Sequence, residues 1–175
     1  PNENYARELF ELHTLGAMNY RPDISDEITC NATNDADGDG FRDYYIDNDV
    51  YEAARAFTGW TIDLDEASPT RGQFRYDHSD HDRFNKFFLC QYLPPDTDNM
   101  HDGNAVLDTL ASHPGTARHI CWKLCRRFIS DDPPDSIVSS AAQVFLEHKD
   151  ADDQIALVLR HIIESDEFAA APAQK

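Results

Sequence analysis

Carboxylates stand at alternate positions in Asp35, Asp37 and Asp39, with Gly38 between the last two and Gly40 directly after them, and Asp43, Asp47 and Asp49 follow closely. In a tight turn this spacing brings Asp35, Asp37 and Asp39 around one hard cation, and the Phe41 carbonyl adds a further oxygen; calcium takes roughly six to eight such oxygens. The glycines permit the sharp backbone turns that so close an approach requires. The pattern departs from a helix-loop-helix calcium loop because Ile46 occupies the closing position. The closing carboxylate therefore has to come from Asp43, Asp47 or, less easily, Asp49 or Glu52. Without a cation, carboxylates packed this closely repel one another. The competing reading is a solvated acidic surface loop.

Two other clusters have the residue types for chemistry. In Asp77-His78-Ser79-Asp80-His81-Asp82 two histidines three residues apart are flanked by carboxylates, a composition suited to a transition metal or an acid-base pair. Solvated loops look the same when no third ligand is fixed at helical spacing. On the first helix Glu8, Glu11 and His13 are the other candidates, with Glu8 placed to meet the His81-Asp82 loop as a general base. The bland alternative for Glu8 is an ion-pair brace with Arg7, Arg126 or Arg127. His113, directly before Pro114, reads as a helix cap. No G-x-S-x-G elbow, phosphate-binding glycine loop or haem attachment motif occurs.

These residues need a scaffold, and 175 residues suffice for one domain, residues 1–175, with a hydrophobic core. With 33 acidic against 15 basic residues the formal charge is −18, which repels phosphate backbones and anionic headgroups and favours cations. Nucleic acid and direct membrane insertion are therefore not expected, and no apolar run reaches the roughly 20 residues that span a bilayer. The chain opens on Pro1 and leads straight into helix, which reads as a portion of a longer, processed protein. Four cysteines show no C-x-x-C spacing. Cys30 and Cys90, in loop-like stretches, are expected to pair in an oxidising compartment, whereas Cys121 and Cys125 lie one turn apart on a buried face as reduced core residues.

Periodicity places the first helix at about Glu3 to Thr14, capped by Asn2 and stopped by Gly16. A second helix, capped by Asp49 with Glu52 completing a capping box, ends at Gly59. Trp60, Ile62 and Leu64 alternate with polar residues, as do Phe74 and Tyr76, which reads as a β-hairpin. Residues 78–102 read as an irregular surface loop anchored by Phe87, Phe88 and Leu89. Helices are expected at Ala105 to Ser112, Pro114 to Ile129, Pro133 to His148 and Asp152 to Ser165, each with one apolar face. The fold class is mainly α: a compact helical array with a small β-hairpin and a long acidic loop.

The strings Asn2-Glu3-Asn4-Tyr5-Ala6-Arg7-Glu8, Leu12-His13-Thr14-Leu15-Gly16, Ala53-Ala54-Arg55-Ala56-Phe57-Thr58-Gly59-Trp60, His81-Asp82 and His113-Pro114 through Cys121-Trp122-Lys123-Leu124 together resemble the bacterial domain-of-unknown-function family 1800, in the right order across nearly the whole chain. The resemblance implies the C-terminal portion of a large, often exported bacterial protein and supplies no activity. It also implies that much of residues 21–48, which holds the aspartate loop, is an insertion, and that Phe88-Leu89-Cys90 departs from a usual Leu-Gly turn. The aspartate spacing itself is similar to the loops of secreted thrombospondin and dockerin repeats. Two functions remain in view. One is a calcium-stabilised scaffold or interaction module, extracytoplasmic, whose partner is the rest of its own chain or another protein. The other is a metal-assisted hydrolase using His78, His81 and Asp82 with Glu8 as base.

Overall fold

A computed structural model describes residues 2–24, 41–42, 44–95 and 100–171. Asp35, Asp37, Asp39, Asp43 and Cys30 lie outside the described residues. The chain divides into two compact units: Pro1–Phe10 with Asn19–Asp108, and Glu11–Met18 with Thr109–Lys175. Helix predominates in the described residues, with two small antiparallel strand pairs.

In the first unit, α1 (Glu3–Glu8) starts where the Asn2 side chain accepts the Tyr5 N–H at 3.1 Å, satisfying one of the donors that a helix start leaves open. It runs on as a π turn, Leu9–His13. Ala6 and Phe10 are fully buried, and the Phe10 ring lies 5.2 Å from that of Tyr45. The second helix, α2 (Asp47–Ala56), begins three residues earlier than the sequence reading placed it, with Ile46 at the cap position. Asp49 is not its cap. It sits at the third helical position and reaches back to accept the Ile46 N–H at 2.8 Å. Gly59 ends this segment with φ +83°, and a β-carbon there would stand 2.5 Å from the Asp77 carbonyl oxygen, so both conformation and space require glycine.

The expected hairpin forms from β1 (Trp60–Ile62) and β2 (Phe74–Tyr76), with Trp60 opposite Tyr76 and Ile62 opposite Phe74. A second hairpin replaces the expected irregular loop: β3 (Lys86–Phe88) pairs with β4 (Gln91–Leu93). Its two-residue turn puts Leu89 at φ 45° and Cys90 at φ 65°, the left-handed pair that such turns demand and that asparagine and glycine adopt at least cost. Leu89 is nonetheless fully buried, so its side chain contributes about 1.5–3 kcal/mol of apolar burial against the backbone cost. Cys90 is disulfide-bonded.

Helix α3 (His101–Ser112) is followed by α4 (Pro114–Phe128), α5 (Asp135–Glu147), α6 (Gln154–Ile163) and a short α7 (Asp166–Ala169) that the apolar pattern does not announce. His113 caps α4 as expected, its Nδ1 accepting the Gly115 N–H at 2.9 Å, with Pro114 in the first turn. The core of the second unit joins Ala117, Cys121 and Cys125 of α4 to Ile137, Val138, Ala141 and Phe145 of α5 and Val158 and Ile162 of α6. Both cysteines are free and buried. Burial pushes the Cys121 thiol up to about 12 and Cys125 to about 11, so they pack as small hydrophobes rather than as nucleophiles.

Candidate functional site

Polar side chains gather in the first unit around α2 and the β3–β4 hairpin. Asp49, completely buried, accepts from the Ile46 N–H at 2.8 Å and the Leu89 N–H at 2.7 Å, and pairs with the Arg42 guanidinium. Arg42 is itself buried and gives its Nε–H to the Tyr44 carbonyl at 2.9 Å. Burial raises the Asp49 pKa, while Arg42 and the two amides pull it down. One carboxylate thus ties together the start of α2, the turn of the β3–β4 hairpin and the chain that returns from the acidic segment.

Nearly two helical turns further on, Arg55 makes a two-pronged contact with Asp82, Nε to Oδ2 at 2.8 Å and Nη2 to Oδ1 at 3.1 Å. Its Nη1 reaches Glu52 at 2.7 Å, and Glu52 in turn accepts the Phe87 N–H at 2.9 Å. The Arg55 guanidinium holds the Asp82 carboxyl below the ordinary carboxylate range. Beside this pair Lys86 is fully buried, and its ammonium donates to Asp102 at 2.7 Å and to the carbonyls of Phe84 at 2.9 Å and Asp82 at 2.5 Å. All three donors of a lysine are thereby used. His81 donates from Nδ1 to the Thr58 carbonyl at 2.8 Å, and its Nε2 stands 3.3 Å from the same Asp102 oxygen that Lys86 contacts.

The residues proposed for a hydrolase are not brought together. His81 turns inward with its side chain 3% exposed, Asp82 is bound by Arg55, and His78 is exposed on a single turn of 3-10 helix. Glu8 is exposed and has no hydrogen bond or ion pair among the described residues. The brace expected at Glu8 is a correction, because the neighbouring Arg7 turns instead to Asp47 at 2.7 Å. Among the described residues no three His, Cys, Asp or Glu side chains form a group able to hold a metal ion. Of the proposed calcium ligands, Phe41 is half-buried and Asp47 spends an oxygen on Arg7, which lowers its pKa. Asp49 and Glu52 are consumed as described.

Sequence reasoning passed over Arg42, Lys86 and Asp102. A signal for the first was present: Arg42 is the only basic residue between Asp23 and Asp49, and a lone arginine in an acidic run points to a specific partner. Lys86 gave no such signal, since one lysine among aromatic residues has the composition of any loop. Among the described residues no helix is long and apolar enough to cross a membrane.

Comparison with known proteins adds a family and no activity. Neither the curated proteins nor the solved structures contain a match. The family described as protein of unknown function (DUF1800) matches residues 1–175. Spanning the helical segments and the buried ionic cluster alike, that match makes the chain a member of the DUF1800 family.

Proposed function

We propose that this chain is a helical scaffold or interaction module of an exported protein, and that its acidic segment takes up calcium. The observation that carries the scaffold reading is the use to which its reactive side chains are put. His81, Asp82, Lys86, Asp102, Arg55 and Glu52 bond to one another or to backbone groups, and His81, Lys86 and Asp102 are almost wholly withdrawn from solvent. A disulfide at Cys90 fits an oxidising compartment.

Calcium remains proposed for Asp35, Asp37, Asp39 and the Phe41 carbonyl. With Asp47 on Arg7, Asp49 under Arg42 and Glu52 on Arg55, the closing carboxylate falls to Asp43. The returning chain enters α2 through Arg42 and Tyr45, so an ordered loop would stiffen the start of that helix. A ligand that binds only the folded state stabilises it by mass action, by about 2.7 kcal/mol at a hundredfold excess over Kd. Thermal melts with calcium chloride and with chelator should therefore differ by several degrees, and Asp37→Ala with Asp39→Ala should abolish the difference. Absence of calcium binding by calorimetry at millimolar concentration would remove calcium from the proposal and leave the scaffold standing.

A further inference from the structure

In the first unit an open pocket of about 370 Å³, lined by residues of α1, α2 and both strands of the β1–β2 hairpin, is built mainly from aromatic side chains. Four rings follow one another edge to face: Tyr5 and Phe57 at 5.4 Å and 90°, Phe57 and Trp60 at 5.3 Å and 73°, Trp60 and Phe74 at 5.4 Å and 76°. Successive rings thus stand close to perpendicular, like walls meeting at a corner rather than plates in a stack. Tyr5 is 49% exposed and Phe74 56%, so ring surface is open to a ligand at both ends of the series.

Among the described residues no charged side chain lines this pocket, yet its surroundings are negative. Arg55 and Arg75, which adjoin Ala54 and Phe74 in the chain, each answer two carboxylates. Arg55 contacts Glu52 and Asp82, while Arg75 lies 3.3 Å from Asp77 and its charge also acts on Asp63. Asp63, next to Ile62, takes its side-chain hydrogen bonds from the uncharged hydroxyls of Ser68 and Thr70, and Glu3, next to Asn2, is exposed. The chain as a whole carries −18. Such a field draws cations towards the pocket, and aromatic faces hold them there.

We infer that this pocket binds a quaternary ammonium group. The hydrogen bonds of the lining select that cation. Asn2 Oδ1 takes the Tyr5 N–H at 3.1 Å and Thr58 Oγ1 the Asp82 N–H at 2.7 Å. The carbonyls of Phe57, Thr58 and Gly59 accept from the Trp60 N–H at 3.2 Å, His81 Nδ1 at 2.8 Å and the Asp77 N–H at 2.7 Å. A bare ammonium is strongly hydrated, and its N–H donors would lose their partners on entry. An ammonium whose hydrogens are all replaced by alkyl groups has no donor to satisfy, and its methyl groups rest on Ala54, Ile62 and the rings. The inference goes beyond the scaffold reading by adding a ligand site, and it is independent of calcium.

The chain has two tryptophans, so Trp122→Phe leaves Trp60, in the pocket wall, as the sole reporter. In that background choline should shift or quench the Trp60 fluorescence saturably. Its neutral analogue, with tert-butyl in place of trimethylammonium, and ethanolamine, with a bare ammonium, should each bind about tenfold more weakly. Phe74→Leu and Tyr5→Leu remove a ring at exposed positions and should each weaken choline binding about threefold, whereas Phe74→Tyr should preserve it. The comparison of choline with its analogues needs no change in the pocket, so it decides even if these variants fold poorly. Phosphatidylcholine vesicles separate the sources of the group: sedimentation with vesicles that choline competes away assigns it to a lipid headgroup, and choline binding without vesicle binding assigns it to a free small molecule. Equal binding of choline and either analogue, no saturable response at millimolar choline, or full binding by both leucine variants would overturn the proposal. So would self-association that Phe74→Leu abolishes, since the occupant would then be a second copy.

Discussion

Asp49 illustrates how one side chain can hold three stretches of backbone. Replacing a buried ion pair by apolar residues of similar volume is often neutral, but breaking it by removing one partner commonly costs about 3–5 kcal/mol. Here even the paired replacement carries a penalty, because the Ile46 and Leu89 amides also end on Asp49. Buried amides left without an acceptor cost about 1–3 kcal/mol each. Asp49→Asn keeps the size and one acceptor while leaving Arg42 buried without a counter-charge, so urea denaturation should show a loss of about 3–5 kcal/mol. Asp80→Asn, on an exposed turn, serves as the control and should change stability by less than about 0.5 kcal/mol. An unchanged Asp49→Asn midpoint would mean that the Arg42 pair is not buried as described.

At the scale of elements, the β3–β4 hairpin is held from both ends of its turn, by the Leu89 amide on Asp49 and by the disulfide at Cys90. Reductant should therefore speed hydrogen exchange at Lys86–Leu93 and leave α4, α5 and α6 unchanged; equal acceleration everywhere would show that the crosslink stabilises the chain globally. The same hairpin marks where legibility ended. Asn2, His113-Pro114 and Gly59 announce their caps and stops through local chemistry, and Trp60 to Tyr76 announces a hairpin by alternation. Phe88-Leu89-Cys90-Gln91 carries no turn residue, because its left-handed conformation is imposed by partners 40 residues away in sequence, as the Leu89–Asp49 bond is. The misplacement of Asp49 as a cap has a similar origin: aspartate serves equally well at the cap or three positions inside the helix, and only the burial of Arg42 decides. Of the candidate site, the importance of His81-Asp82 could be read as a motif. Its structural use could not, since that depends on Lys86, Arg55 and Asp102 arriving from other elements.

For the whole molecule the dominant variable is charge. Asp47, Asp82, Asp135 and Glu167 have their pKa values lowered by hydrogen-bonded partners, chiefly Arg7, Arg55, Arg118 and Ser136, and Asp23 falls to about 2 on Arg21. Such groups bind fewer protons folded than unfolded, so their contribution is complete above the ordinary carboxylate range and is lost as pH falls through the folded values. Asp49, shifted upward by burial, works in the opposite sense. The lowered groups are more numerous, so the urea midpoint should hold between pH 5 and 7 and drop below about pH 4. A flat profile down to pH 2 would show that the ion pairs contribute nothing measurable. Tyr20 pairs with Tyr45 in an isolated bridge, where the Arg21 N–H meets the Tyr45 carbonyl at 2.9 Å and the Tyr45 N–H meets the Asn19 carbonyl at 3.0 Å. In polymer terms the two ends of the acidic segment are already joined at a fixed point, and closing a loop on such a point costs only about 0.6 kcal/mol more for each doubling of its length. The stretch between Asp23 and Phe41 is therefore a natural graft site, where sequence of almost any length can be exchanged while Arg42 stays on Asp49 and the helices on either side keep their register.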